Sequence, residues 1–173
     1  QFRRSKIIEA LADIANEIAT TRDVQAAIDQ ITQRALELLN ANHVAIYLVQ
    51  DDNVTLKTVS AHGLYRQEIL KHTRKVGEGM TGNVFLNAKP EIINDTGDDP
   101  RRLTVPGTPE SQESLMSSPL ILRGRTIGVI NVWRFKENGL FNETELNFLF
   151  GIAHQVSICI EPGRLFQGPR RQP

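Results

Sequence analysis

The sequence predicts an α+β domain around an antiparallel sheet, and three observations carry that reading. Helix-periodic stretches stand at both ends of the chain. Two pairs of β-rich runs, at 43–61 and 114–135, are each joined by a short polar turn. Between them lies a glycine-spaced block, KVGEGMTGNVFLNAKPEIINDTGDDPR at 75–101. At 173 residues with 40% hydrophobic content, the chain is sized for one domain with its own core.

Residues 2–20 place Ile7, Leu11, Ile14 and Ile18 at alternating four- and three-residue steps, a seam on a helix whose remaining surface carries Arg3, Arg4, Lys6, Glu9, Asp13 and Glu17. Such a seam is short for a free-standing coil. It has two uses, packing on its own domain or pairing with a second copy. Thr21 or Asp23 can cap a second helix running to about Asn40, with Val24, Ile28, Ile31, Ala35 and Leu38 on a core-facing stripe.

The run VAIYLV is too apolar and β-branched for a surface helix, and Asp51-Asp52-Asn53 turns the chain into a second strand over 54–61. Residues 64–72 supply a short helical piece over the pocket, and 72–76 lead extended into the glycine turn. Gly77, Gly79 and Gly82 allow positive φ and close backbone approach, so this segment reads as a pocket wall. A helix over 80–87 ends before Lys89-Pro90, because proline disfavours helix at the preceding residue. A short strand follows at 91–94. The long acidic, proline-bearing loop over 95–114 reads as a lid.

Arg123-Gly124 joins two strands, 114–122 and 125–135, as a tight hairpin. Alternation in the second strand puts Ile127, Val129, Asn131 and Trp133 on one face and Gly128, Ile130 and Val132 on the other. With both faces covered, that strand is central. The closing helix starts at an N-cap, Asn142, with Glu145 completing a capping box and Phe141 and Leu146 a hydrophobic staple. It turns Leu149, Ala153, Val156 and Ile160 inward and is expected to stop at Pro162-Gly163, leaving 162–173 as a polar tail or linker. Within that tail, LFQGP matches a protease site used in recombinant expression, so part of it need not be native.

Twenty basic residues balance twenty acidic ones, which argues against a polyanion or membrane-surface partner. No apolar run approaches a bilayer span, and the stretch QFRRSKIIEALADIANE is too polar for a signal-peptide core, so a cytoplasmic location is expected. The single cysteine, Cys159, excludes an internal disulfide and any multi-cysteine metal or redox centre within one chain.

The helix LADIANEI, the strand HVAIYLVQDD, the block VGEGMTGNVFLNAKPEIINDTGDDPR, the hairpin SSPLILRGRTIGVINVW and the helix opening LFNETELNFL occur in this order over roughly 5–161. Together they resemble a GAF domain. The resemblance implies a central antiparallel sheet of five or six strands, terminal helices on one face and, on the other, short helices and loops forming a small-molecule pocket. It also implies a regulatory ligand-sensing and dimerisation domain inside a larger cytoplasmic signalling protein such as a histidine kinase, a cyclase or a transcription regulator. A homodimer through the helices at 2–20 and 142–161, and an output domain as partner, follow from the same likeness. The alternative is an interaction module whose pocket is vestigial.

Cyclic-nucleotide-binding members carry an Asn-Lys…Phe…Asp-Glu pattern. Here Phe141 and Glu145 match, while Arg134-Phe135 replace Asn-Lys and Thr144 replaces the Asp, so the Lys–Asp pair of that pattern cannot form. Bilin-carrying members attach pigment through a cysteine near the pocket, whereas Cys159 falls on the closing helix behind the sheet. Methionine-sulfoxide reductases of the family need several cysteines, which argues against an enzyme. Haem-binding members need a histidine ligand, and His43, His62, His72 and His154 stand without a matched axial context. No cofactor or metal is therefore expected. Arg101-Arg102 beside Asp98-Asp99 could grip an anion, but such a cluster also neutralises itself. Carried over from the family, the pocket positions are Tyr47, His62, Met80, Thr81, Thr108 and Asn131. Of these, Asn131 stands out, because an amide in a central apolar strand needs a hydrogen-bond partner.

Overall fold

The computed structural model describes residues 4–20, 23–109 and 112–167, with side chains over 6–16, 23–109 and 112–160. Two helices open the chain, α1 (Arg4–Thr20) and α2 (Val24–Leu38). Asp23 caps α2 by accepting from the amides of Gln25 and Ala26. Strands β1 (His43–Val49) and β2 (Thr55–Gly63) form the first hairpin. A short helix α3 (Arg66–Leu70) and strand β3 (Thr73–Lys75) lead to helix α4 (Gly79–Asn87) and strand β4 (Glu91–Ile93). The second hairpin is β5 (Glu113–Leu122) with β6 (Arg125–Phe135), and α5 (Glu143–Gln167) closes the described chain.

The six strands form one antiparallel sheet in the order β3-β2-β1-β6-β5-β4, which places β6 centrally as its two apolar faces require. Arg123 and Gly124 both take positive φ, the geometry that a two-residue hairpin needs to follow strand twist. Gly82 is obligatory for a different reason: a Cβ there would run into the Lys75 carbonyl, and the turn closes on itself through Gly77 N–H donating to Gly82 O.

Helices α1, α2 and α5 cover one face of the sheet. Ile14, Ile28, Ile31, Phe148 and Ile152 pack there against Ile46, Ile130 and Val132, all fully buried. The capping box forms as expected, with Glu145 N–H donating to Asn142 Oδ1 at 2.9 Å and Asn142 N–H to Glu145 Oε1 at 3.1 Å.

Of the two uses open to the α1 seam the structure displays the internal one, and two other local readings need correction. The seam on α1 is used inside the domain: Ile14 is buried, Ile7 and Leu11 pack against the same core, and Leu11 lies against Gly151 of α5; Ile18 falls outside the described side chains. Ile127 belongs to the helix-side core rather than sharing a face with Trp133, because a β-bulge at this point skips it between the pairs Leu120–Gly128 and Ile121–Thr126. Helix α5 does not stop at Pro162-Gly163 but runs to Gln167. Proline removes one backbone bond, and a helix already nucleated and long can pass that point. Residues 168–173 lie outside the described residues.

Candidate functional site

The opposite face of the sheet is covered by short pieces, α3, α4 and the loop after β4. They leave a cavity of about 70 Å³ that opens to solvent on one side. Buried apolar side chains on this face fall into two groups, Tyr47 with Ala45, Val49, Leu56 and Ile69, and Met80 with Ile93 and Leu115. Trp133 touches both. The cavity lies against that junction.

Its floor is a row across three strands. His43 of β1 pairs with Trp133 of β6, which pairs with Leu115 of β5, and all three line the cavity. The His43 and Trp133 rings are 4.7 Å apart, and Tyr65 stands 6.2 Å from His43 on the other side. Tyr65 takes φ of 59°, uncommon for a residue with a side chain, at the start of α3. His43 is 5% exposed, and its Nε2 lies 2.9 Å from Glu113 Oε2 at the start of β5. The contact is close but not aligned as a hydrogen bond. Glu113 Oε2 and His43 Nδ1 are both buried without a hydrogen-bond partner among the described residues.

The wall and lid come from the glycine block and from the loop. Met80 and Thr81 on α4 line the cavity, as do Thr96, Leu103, Val105 and Thr108. Arg74 of β3 reaches in from the side. Its Nη2 donates to the Leu103 carbonyl at 3.0 Å, and Glu78 is near enough to attract its charge. Burial lowers its pKa from the ordinary arginine value, so its charge is held at a cost. The loop is pinned by Arg101, whose guanidinium contacts Glu91 on β4 at 2.5 Å and Asp99 at 2.8 Å. The Arg101 hydrogen bond holds Asp99 below the usual carboxylate range. Arg101 is thus neutralised internally, while Arg102 lines the cavity.

The structure divides the six residues expected at the pocket. Met80, Thr81 and Thr108 line it, Thr108 donating its hydroxyl to the Val105 carbonyl at 2.7 Å. Asn131 sits directly behind Thr81, fully buried and satisfied by side chains: its Nδ2 donates to Thr81 Oγ1 at 2.7 Å and its Oδ1 accepts from Ser117 Oγ at 2.6 Å. Tyr47 is sealed in the neighbouring apolar group. Burial pushes its phenol up to about 12, against the opposing pull of Arg74 and of hydrogen bonds with Thr58 and Asn131. His62 does not reach the cavity. Ser60, two residues before it on the same strand face, donates to Asp29 of α2 at 2.6 Å, and His62 itself stands beside Asp29, on the helix side. Burial, with Arg66 nearby, lowers its pKa.

Sequence reading missed His43, Trp133, Glu113 and Arg74. A histidine opening an apolar strand was the one visible signal among them. Also unread was the buried pair behind the sheet, in which Arg134 Nη2 donates to Glu145 Oε2 at 2.7 Å and also to the Leu39 carbonyl, with its guanidinium 4.2 Å from the centre of the Phe141 ring. The arginine that breaks the nucleotide-binding pattern therefore holds the cap of α5 to β6. Among the described residues, no group of three or more His, Cys, Asp or Glu is placed to hold a metal ion, and no helix is long and apolar enough to cross a membrane.

A sheet with this strand order, helices packed behind it and a cavity beneath short helices in front is the GAF arrangement expected above, and a GAF-domain family profile matches residues 21–161. The chain belongs to the GAF domain family. Among curated proteins, this GAF domain is similar to the Nif-specific regulatory protein of Azospirillum lipoferum, 22% identical over 165 residues that cover 92% of this chain and 26% of that protein. It is likewise similar to the Nif-specific regulatory protein of Herbaspirillum seropedicae, 26% identical with 92% and 30% covered. The chain thus spans less than a third of the length of these relatives, which are regulatory proteins by name. Among solved structures, it superposes on the GAF domain of an Acinetobacter phosphoenolpyruvate-protein phosphotransferase with a TM-score of 0.84 at 19% identity, covering 98% of this chain and 100% of that one. It superposes on the free methionine-R-sulfoxide reductase of Neisseria meningitidis, solved with its substrate, with a TM-score of 0.78 at 22% identity, covering 92% and 91%. At these identities the shared property is the fold.

Proposed function

We propose that this GAF domain is the ligand-sensing regulatory part of a larger cytoplasmic signalling protein, and that a small metabolite binds under the 95–109 loop. The observation that carries this reading is the cavity itself, where a buried His43–Glu113 contact and the Arg74 guanidinium, held on a carbonyl, stand among apolar side chains and threonines. Pockets that bind small molecules combine such walls with a few placed polar groups. A cavity of about 70 Å³ suits a small metabolite rather than a tetrapyrrole. Binding would favour one arrangement of the loop and of β6 over another, and Arg134 would pass the preference to the start of α5. The regulatory names of the curated relatives fit an output domain elsewhere in the parent protein, a transcription regulator among the candidates. Mass spectrometry of protein purified natively from its host tests the reading. A stoichiometric small molecule, released on unfolding, is expected. Protein carrying nothing, and unshifted in melting temperature by a cell extract of metabolites, would sink it.

A second reading, dimerisation without a ligand, is favoured by the outer face of the terminal helices. Ile8 of α1 and Phe150 and Ile158 of α5 are 66%, 44% and 46% exposed. Ile7, Leu11 and Ile14 of the α1 seam pack internally, so these exposed residues would have to form the contact. Sedimentation equilibrium of the wild type and of Phe150→Glu tests this reading: a dimer that the substitution splits supports it, and a wild-type monomer at high concentration ends it.

A further inference from the structure

We propose that the cavity takes a zwitterionic α-amino acid with an apolar side chain, its carboxylate on Arg74, its ammonium on Glu113 beneath Trp133 and Tyr65, and its side chain toward Met80 and Leu115. This rests on the sensing role proposed above and names the chemistry of that same site. Four features point to the class.

Glu113 Oε2 is buried without a hydrogen-bond donor, and two aromatic rings stand beside the adjoining His43, so a cationic donor would satisfy the carboxylate and meet π faces as well. Arg74 reaches into the same cavity with only a carbonyl as acceptor. Its planar fork matches a carboxylate in two bonds, and burial strengthens the attraction. Both charged groups border one cavity of about 70 Å³, so a molecule of few atoms can meet both. The wall also carries an apolar patch, Met80, Leu115 and Ile69, beside the hydroxyls of Thr81, Thr96 and Thr108.

Competing classes each leave at least one of these charges unmet by the ligand. A dicarboxylate could meet Arg74 and Arg102, which both line the cavity, but would leave the Glu113 carboxylate facing anions with no cation of the ligand to meet it. A simple amine would leave the Arg74 fork on the Leu103 carbonyl, and a neutral apolar molecule would offer a partner to neither Arg74 nor Glu113.

The test is calorimetric titration and thermal shift of the full chain with L-leucine, L-methionine and L-isoleucine. 4-Methylpentanoate serves as the leucine analogue lacking the amine, and 3-methylbutylamine as the one lacking the carboxylate. At least one amino acid should bind and raise the melting temperature, with each truncated analogue weaker by tenfold or more. Glu113→Gln should weaken the amino acid by a similar factor while leaving 4-methylpentanoate unchanged. Arg74→Gln should do the converse, sparing the amine. Melting of both variants without ligand checks their folding. If 4-methylpentanoate binds as tightly as leucine, or if neither substitution changes amino-acid binding, the proposal falls and the sensing role stands. If nothing in the panel binds, the proposal also falls. Recovery of another bound molecule from cell extract then keeps the sensing role, and recovery of none removes both.

Discussion

The two faces of the sheet are built from the same strands and finished in opposite ways. Behind it, three regular helices present continuous apolar ridges, and Ile14, Ile31, Phe148 and Ile152 close on Ile130 and Val132 as one buried core. In front, short helices and a loop cannot supply such ridges. The apolar groups split in two around Trp133, and polar atoms of His43, Glu113 and Arg74 face the space between them. Polar groups occur on both faces, so polarity alone does not separate them. Arg134 behind the sheet has its Nη atoms satisfied by a carboxylate and two carbonyls, though its Nε has no partner, whereas Glu113 Oε2 in front meets only the misaligned His43 Nε2. Orphaned atoms thus occur on both faces, Arg134 Nε and His62 Nε2 behind and Glu113 Oε2 and His43 Nδ1 in front, and it is the open space beside the second pair that marks the site.

The largest expected effect breaks the satisfied side. Arg134→Ala should lower stability by about 3–5 kcal/mol, because it leaves Glu145 buried and unpaired. Urea unfolding measures this, and Arg134→Met combined with Glu145→Gln should recover much of the loss. A loss below about 1 kcal/mol from the single change would show that the pair is not holding the cap of α5.

Matched truncations sharpen the contrast further. Ile130→Ala, fully buried behind the sheet, should cost about 2–5 kcal/mol. Met80→Ala borders a space that already exists and should fall at or below the low end of that range. Equal losses in chemical denaturation would mean the front face is packed as firmly as the back.

The smallest effect is one of pH. Burial first, and Arg74 second, lower His72 to about 4, and its Nε2 is buried without a partner. The unfolded chain, with a histidine near its ordinary pKa of about 6.5, binds more protons than the folded one between the two values. Stability is therefore full above about pH 6.5 and falls as pH drops toward 4, with His62 adding in the same direction. Melting temperatures from pH 7 to 5 should decline, and His72→Gln should flatten the decline. An unchanged slope would show that His72 does not titrate as its burial implies.

Local chemistry was legible in the chain alone. Asn142 and Glu145 form their box, Asp23 caps α2, Arg123-Gly124 makes the hairpin, and Gly82 lets the turn before α4 close on Gly77, because each depends on groups a few residues apart. Alternation also made β6 central, although it could not show the bulge that turns Ile127, since bulges arise from pairing. What only the tertiary structure decided is which distant side chains meet. His43, Trp133 and Leu115 become neighbours through the β1–β6–β5 register, Arg134 finds Glu145 across the sheet, and α1 spends its seam on α5. His62, a plausible pocket residue by likeness, turned to α2 because strand alternation, once the register is set, leaves it no other face. Sequence determines what each short stretch prefers; the pairing of strands far apart in the chain decides which charges are satisfied and which are left facing a cavity.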